Sequence, residues 1–172
     1  MELELIRGSW SYHWWGNRKL FDIVSGLGEE TAARELGTQF SFPSLKGMLA
    51  HIHGADRIWL ERWMGKKPVK LLGDGDFASL ADLRKRWDDL EAEQHRFVDA
   101  LTPSELQRVV VHTSLDGKVT FRQPLWELLQ HVVNHATHHR SELATMITMV
   151  KGSPPSTDMV VYYRVASGQL QP

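Results

Sequence analysis

The chain has 172 residues, no cysteine, and 20 Lys plus Arg against 21 Asp plus Glu; 42% of it is apolar and 24% charged. These values suit one globular domain over residues 1–172 with a single well-filled core. They exclude disulfides, thiolate metal ligands and a cysteine nucleophile, and they leave no basic excess for phosphate backbones, so no nucleic-acid partner is expected. The nearest basic run, Arg84–Lys85–Arg86, is followed at once by Asp88 and Asp89. No apolar run approaches the roughly 20 residues of a membrane span, so no membrane partner is expected. The start of the chain, with Glu2 and Glu4, lacks the basic-then-apolar pattern of an export signal, and a cytoplasmic location is expected.

In chain order, a first helix is predicted from about Leu3 to Leu27. Ile6, Trp10, Trp14, Phe21 and Val24 repeat at the amphipathic spacing, and Gly26 and Gly28 stop it. A second helix opens at Ser44, an N-cap residue type, and runs to Met64, with Leu45, Met48, Leu49, Ile52, Ala55, Trp59 and Trp63 on its apolar face. A turn-rich link through Gly73–Asp76 follows. A third helix begins at Ser79, which with Asp82 resembles a capping box; Leu80, Leu83, Trp87, Leu90, Phe97 and Leu101 face inward. Thr102 and Pro103 open a short extra turn. Residues 109–121 lose the helical period. Val109–Val111 and Val119–Phe121 flank Asp116–Gly117, which predicts a hairpin with a type I′ turn. A fourth helix runs from Pro124 to Val150 and ends at Gly152 and Pro154–Pro155. The apolar tail, Asp158–Ala166, is expected to pack back on the body. All seven tryptophans fall in predicted helices, where core-filling side chains belong. The fold expected is all-α: a four-helix bundle with a small β-hairpin inserted between its third and fourth helices.

The fourth helix carries His131, His135, His138 and His139. Residues three and four apart share a helix face, and two imidazoles at i and i+4 can grip one divalent ion. The apolar positions Leu125, Leu128, Leu129, Val132, Ala136, Leu143, Met146, Ile147 and Val150 set the inward direction. His139 lies roughly 40° from it and His135 roughly 80°, whereas His131 and His138 lie roughly 120° and 140° away. His135 and His139 are therefore the better ligand pair, and His138 belongs at the surface or behind the ligands. A third ligand must come from a facing helix. His51 and His53 are the candidates, about equally far from the apolar centre on opposite sides, so periodicity does not choose between them. His13, His95 and His112 lack partners in sequence and read as polar surface residues; Glu142, near the His135 direction on the wheel, reads as a solvated glutamate, with a place behind the ligands as the alternative. The segment is not the zincin pattern, because no glutamate follows its first histidine. Nor does it supply the Glu-x-x-His pairs of a di-iron bundle.

Four segments resemble the DinB/YfiT-like superfamily. They are Trp14–Phe21, Leu49–Leu60, Leu129–Leu143 with its Asn-His-x-x-His-His-Arg core at Asn134–Arg140, and Pro154–Asp158. They span nearly the whole chain in the family's order. Ser141 departs from the glycine the family often carries after the arginine. The resemblance implies an up-down-down-up bundle and a three-histidine metal site made of His51, His135 and His139; zinc and nickel, the cofactors expected, both suit imidazole ligands. It also implies thiol-dependent transferase chemistry with a low-molecular-weight thiol and a small-molecule substrate; a homodimer is the one macromolecular association expected. Three neutral imidazoles leave a position open on the ion, as catalytic sites do. A hydrolase using activated water, and a non-catalytic metal-binding or dimerising bundle, are the alternatives.

Overall fold

The computed structural model describes residues 1–68 and 70–171. Most of them are helical. Helix α1 (Glu2–Ser25) carries Glu2 and Glu4 in its first turn, where acidic groups complement the helix dipole. A one-turn helix α2 (Glu29–Ala33), too short to show a period, is entered through Gly28. Helix α3 (Leu45–Trp63) starts where the Ser44 hydroxyl accepts the Gly47 N–H at 3.0 Å. Helix α4 (Leu80–Asp99) starts where Ser79 accepts the Asp82 N–H at 3.1 Å. Asp82 reciprocates by accepting from Ala78, one residue before the position a capping box uses. The link between α3 and α4 contains a single 3₁₀ turn at Asp74–Asp76. The short helix α5 (Pro103–Leu106) has Thr102 as its cap.

Strands β1 (Val109–Thr113) and β2 (Thr120–Pro124) pair antiparallel, with Val111 opposite Arg122. The hairpin stands where the sequence places it, but its turn is not type I′. That turn needs positive φ at two residues, and only Gly117 adopts it, at +73°. The Gly117 N–H instead bonds the Ser114 carbonyl at 2.9 Å, and the Ser114 N–H bonds the Val119 carbonyl at 2.8 Å. A tight turn followed by a left-handed glycine spares Asp116 a conformation that a Cβ disfavours. Helix α6 (Leu125–Lys151) follows directly, and α7 (Met159–Ala166) closes the chain.

Helix α6 packs along both α1 and α3, and α4 touches α1 and α3 in turn. Two apolar clusters fill the space between them. One gathers Leu20, Phe21, Met48, Leu49, Leu83 and Ile147; the other gathers Trp10, Leu60, Trp63, Leu125, Leu128 and Leu129. Trp10, Trp14, Trp63 and Trp87 are core residues, whereas Trp126 is exposed at the start of α6. The tail does pack back: Tyr162 of α7 meets Tyr12 and Trp15 of α1. Among the described residues no helix is long and apolar enough to cross a membrane. The contact between α3 and α6 positions the site described next.

Candidate metal centre

His135 and His139 stand one turn apart on α6, and His51 faces them from α3. The His51 Nε2 lies 3.2 Å from His135 Nε2 and 3.1 Å from His139 Nε2. Two nitrogens each about 2.0–2.1 Å from one ion stand about 3.3 Å apart at the tetrahedral angle. The observed separations fit that span. The donor chemistry fits as well. Burial, reinforced by the charge of the neighbouring rings, pushes His51 and His135 from 6.5 down to about 4. Both rings are therefore neutral near pH 7, the form that binds metal.

His139 is oriented from behind. Its Nδ1 lies 2.8 Å from Glu142 Oε2, one turn further along α6. An Nδ1–H donated to that carboxylate leaves the lone pair of a neutral ring on Nε2, aimed at the cluster. The Ser41 N–H and hydroxyl hold the other carboxylate oxygen at 2.8 and 2.9 Å. Burial pushes the Glu142 pKa up, but the Ser41 amide, His139 and the Ser41 hydroxyl outweigh it, so the net shift is downward and the group stays ionised. The loop before α3 delivers Ser41. It is closed by the Leu36 N–H on the Pro43 carbonyl at 2.7 Å, and it also lays Phe42 against His51, ring centroids 4.1 Å apart. Glu142 is thus not the solvated glutamate its position in sequence suggests.

His53 points the other way. It is 2% exposed, packs against Phe77 and Trp87, and contacts the Arg86 carbonyl. One imidazole of α3 faces α6 and the other faces α4, which is why the two looked equivalent on the helix wheel. His138 is exposed; with His139 and Glu142 it forms a second grouping that shares only His139 with the first. His131 is also exposed and lies against Trp59 beside His135.

Of the three histidines read as surface residues, His95 is partly exposed and stacks on Trp14. His112 is 9% exposed between Trp59 and Phe121, and His13 is fully buried. His13 Nε2 lies 2.7 Å from Asp56 Oδ2, which also accepts from Gln94 at 3.0 Å. Gln94 in turn accepts from the Trp14 indole. Nearby, Arg140 donates to Asn17 and Thr137 and lies over the Tyr12 ring. Gly16 makes room for it: a Cβ there would stand 3.1 Å from Arg140 Nε. This buried polar layer ties α1, α3, α4 and α6 together directly behind the histidines, and the Asp56 charge partly opposes the depression of both His51 and His135. Its signal in sequence was the position of His13 and Asn17 on the same stripe as Trp10 and Phe21.

Two comparisons bear on these residues. The DinB family profile matches residues 6–171. Protein DinB of Bacillus subtilis (strain 168) is similar to this chain, at 26% identity over 162 residues, covering 89% of this chain and 90% of that protein.

Proposed function

The chain belongs to the DinB family, and from that premise we propose that it is a divalent-metal-binding protein, with His51, His135 and His139 as ligands and thiol S-transfer as its reaction. The observation that carries the reading is the approach of three Nε2 atoms, from two helices, to a single point. The proposal includes the fold: α1, α3, α4 and α6 form an up-down-down-up four-helix bundle in one domain over residues 1–172. Zinc and nickel both suit an all-imidazole donor set.

A bound divalent ion would supply Lewis acidity, lowering the pKa of a thiol in its remaining position. The chain's own residues do the rest. His51, His135 and His139 would hold the ion through Nε2, with His51 and His135 kept neutral by burial. Glu142 fixes the His139 ring through Nδ1 and raises its basicity. The chain has no thiol of its own to act as nucleophile, because there is no cysteine. Thiol transfer is favoured over hydrolysis by the state of Glu142, the carboxylate beside the histidines: it is held by His139 and Ser41, so it is not free to take a proton from water. A thiol, with an ordinary pKa of about 8.5, needs far less help to ionise.

The test is conjugation of a small activated aryl halide by protein purified without an affinity tag. Metal-free, zinc-loaded and nickel-loaded forms are compared with and without low-molecular-weight thiols. Turnover that needs both metal and thiol supports the reading. Metal-dependent cleavage of an ester or amide without thiol would replace it with a hydrolase. No turnover, with unfolding on metal removal, would replace it with a structural site.

A further inference from the structure

A row of rings leads away from the histidine cluster toward the hairpin. His131 lies 5.9 Å from His135, and Trp59 lies 5.2 Å from His131. His112 meets Trp59 at 5.0 Å and stacks on Phe121, which is 43% exposed. At His112 the row borders a cleft of about 460 Å³ between the end of α3 and the hairpin. That volume lies within the usual range of small-molecule sites. Arg62, Lys66, Lys67 and His112 line this cleft, and among the described residues no carboxylate does. The acidic residues nearby are committed elsewhere. Glu61 pairs with Arg57, Glu105 with Arg108 and Asp116 with Lys118. Arg62 spans the ring row and the cleft: its guanidinium lies over Trp59 at 4.6 Å and donates to the Thr113 carbonyl. Burial alone shifts the Arg62 pKa, downward, as for a guanidinium short of a counter-charge.

Position along α3 relates the cleft to the metal centre. His51 and Arg62 are eleven residues apart, about three turns, so they share one face of the helix roughly 16 Å apart. We infer that the cleft and the ring row together seat an elongated small molecule, its anionic end held by Arg62, Lys66 and Lys67, its planar middle on Trp59 and its reacting end at the three histidines. The ligand class is a carboxylate- or phosphate-bearing compound. Assigning the reacting end rests on the metal-centre reading; the anion site does not.

The anion site is tested first on metal-free protein, titrated with inorganic pyrophosphate and followed by ¹H–¹⁵N NMR. Saturable shifts should concentrate at the Arg62 Nε–H, the Trp59 indole N–H and the Lys66 and Lys67 amides. Charge-assisted hydrogen bonds of this kind carry roughly tenfold or more in affinity. Arg62→Ala should therefore weaken binding on that order. Lys66→Ala/Lys67→Ala, confined to exposed side chains, should weaken it without touching the fold. Shifts spread over the other surface arginines and lysines, or an affinity unchanged in the double variant, would overturn the proposal. Displacement of pyrophosphate by mercaptosuccinate but not by 2-mercaptoethanol would uphold it and place the anion on the thiol. Displacement by a carboxylated aryl halide would uphold it and place the anion on the electrophile. Loss of metal binding would leave these shifts in place, so failure of the metal reading stays distinguishable from failure of this one.

Discussion

Replacing Glu142 by glutamine isolates the carboxylate behind His139 from every other property of the site. The substitution keeps size and shape, and the amide oxygen can still accept from the Ser41 N–H and hydroxyl. What it removes is the negative charge 2.8 Å from His139 Nδ1. His139 then loses the partner that fixes its ring and places the lone pair on Nε2, while His51 and His135 are untouched. Loss of such an outer partner costs about 10–100-fold in metal affinity, or about 1.4–2.7 kcal/mol. Competition against a chromophoric chelator, with zinc and with nickel, measures the two dissociation constants. The expected result is weakening within that range with stoichiometry retained and the unfolding midpoint of the metal-free protein little changed. An affinity within twofold of the wild type would refute the assignment of Glu142 as the residue that orients His139.

Three further outcomes follow from the same geometry. His51 and His135 sit near 4 instead of 6.5, so between those pH values the unfolded chain binds more protons than the folded one. Their contribution to stability is fully present above about pH 6.5, is lost as pH falls toward 4, and levels off below. Urea midpoints of the metal-free protein across that window should fall less steeply in His51→Ala/His135→Ala; an identical slope would contradict the shifts. Asp56→Ala strips the buried His13 and Gln94 of their acceptor and should cost on the order of 3–5 kcal/mol by urea denaturation, against less than 1 for a typical surface change. Gly54→Ala would put a Cβ 2.4 Å from the Leu72 carbonyl oxygen, and since that atom is backbone, a loss of about 1–3 kcal/mol is expected despite alanine's better helix propensity; unchanged stability would mean the link after α3 moves freely.

The four long helices and the hairpin were legible because each has a local cause, whereas the short α2 and α7 were not. Ser44 and Ser79 cap where the apolar periods begin, and Gly117 marks a turn that only the exact φ angles could assign to a type. The pair His135 and His139 was legible for the same reason, since one helix fixes their spacing. His51 could be told from His53 only by resemblance, because the choice depends on which neighbour each face of α3 meets. The partnership of Glu142 with Ser41 joins residues 101 apart in sequence. It rests on the path of the loop before α3, and no periodicity encodes that path. His13 was missed for a different reason. A histidine on an apolar stripe is buried when a partner waits for it, and its partner, Asp56, lies on another helix.

The central claim, one divalent ion held by three imidazoles, is tested most directly by elemental analysis of tag-free protein after saturation with zinc or nickel and removal of the excess. Wild type and His138→Ala should each retain one ion per chain, and His51→Ala, His135→Ala and His139→Ala should each retain none while remaining helical by circular dichroism. Full occupancy in any of those three variants, or an empty wild type, would contradict the account.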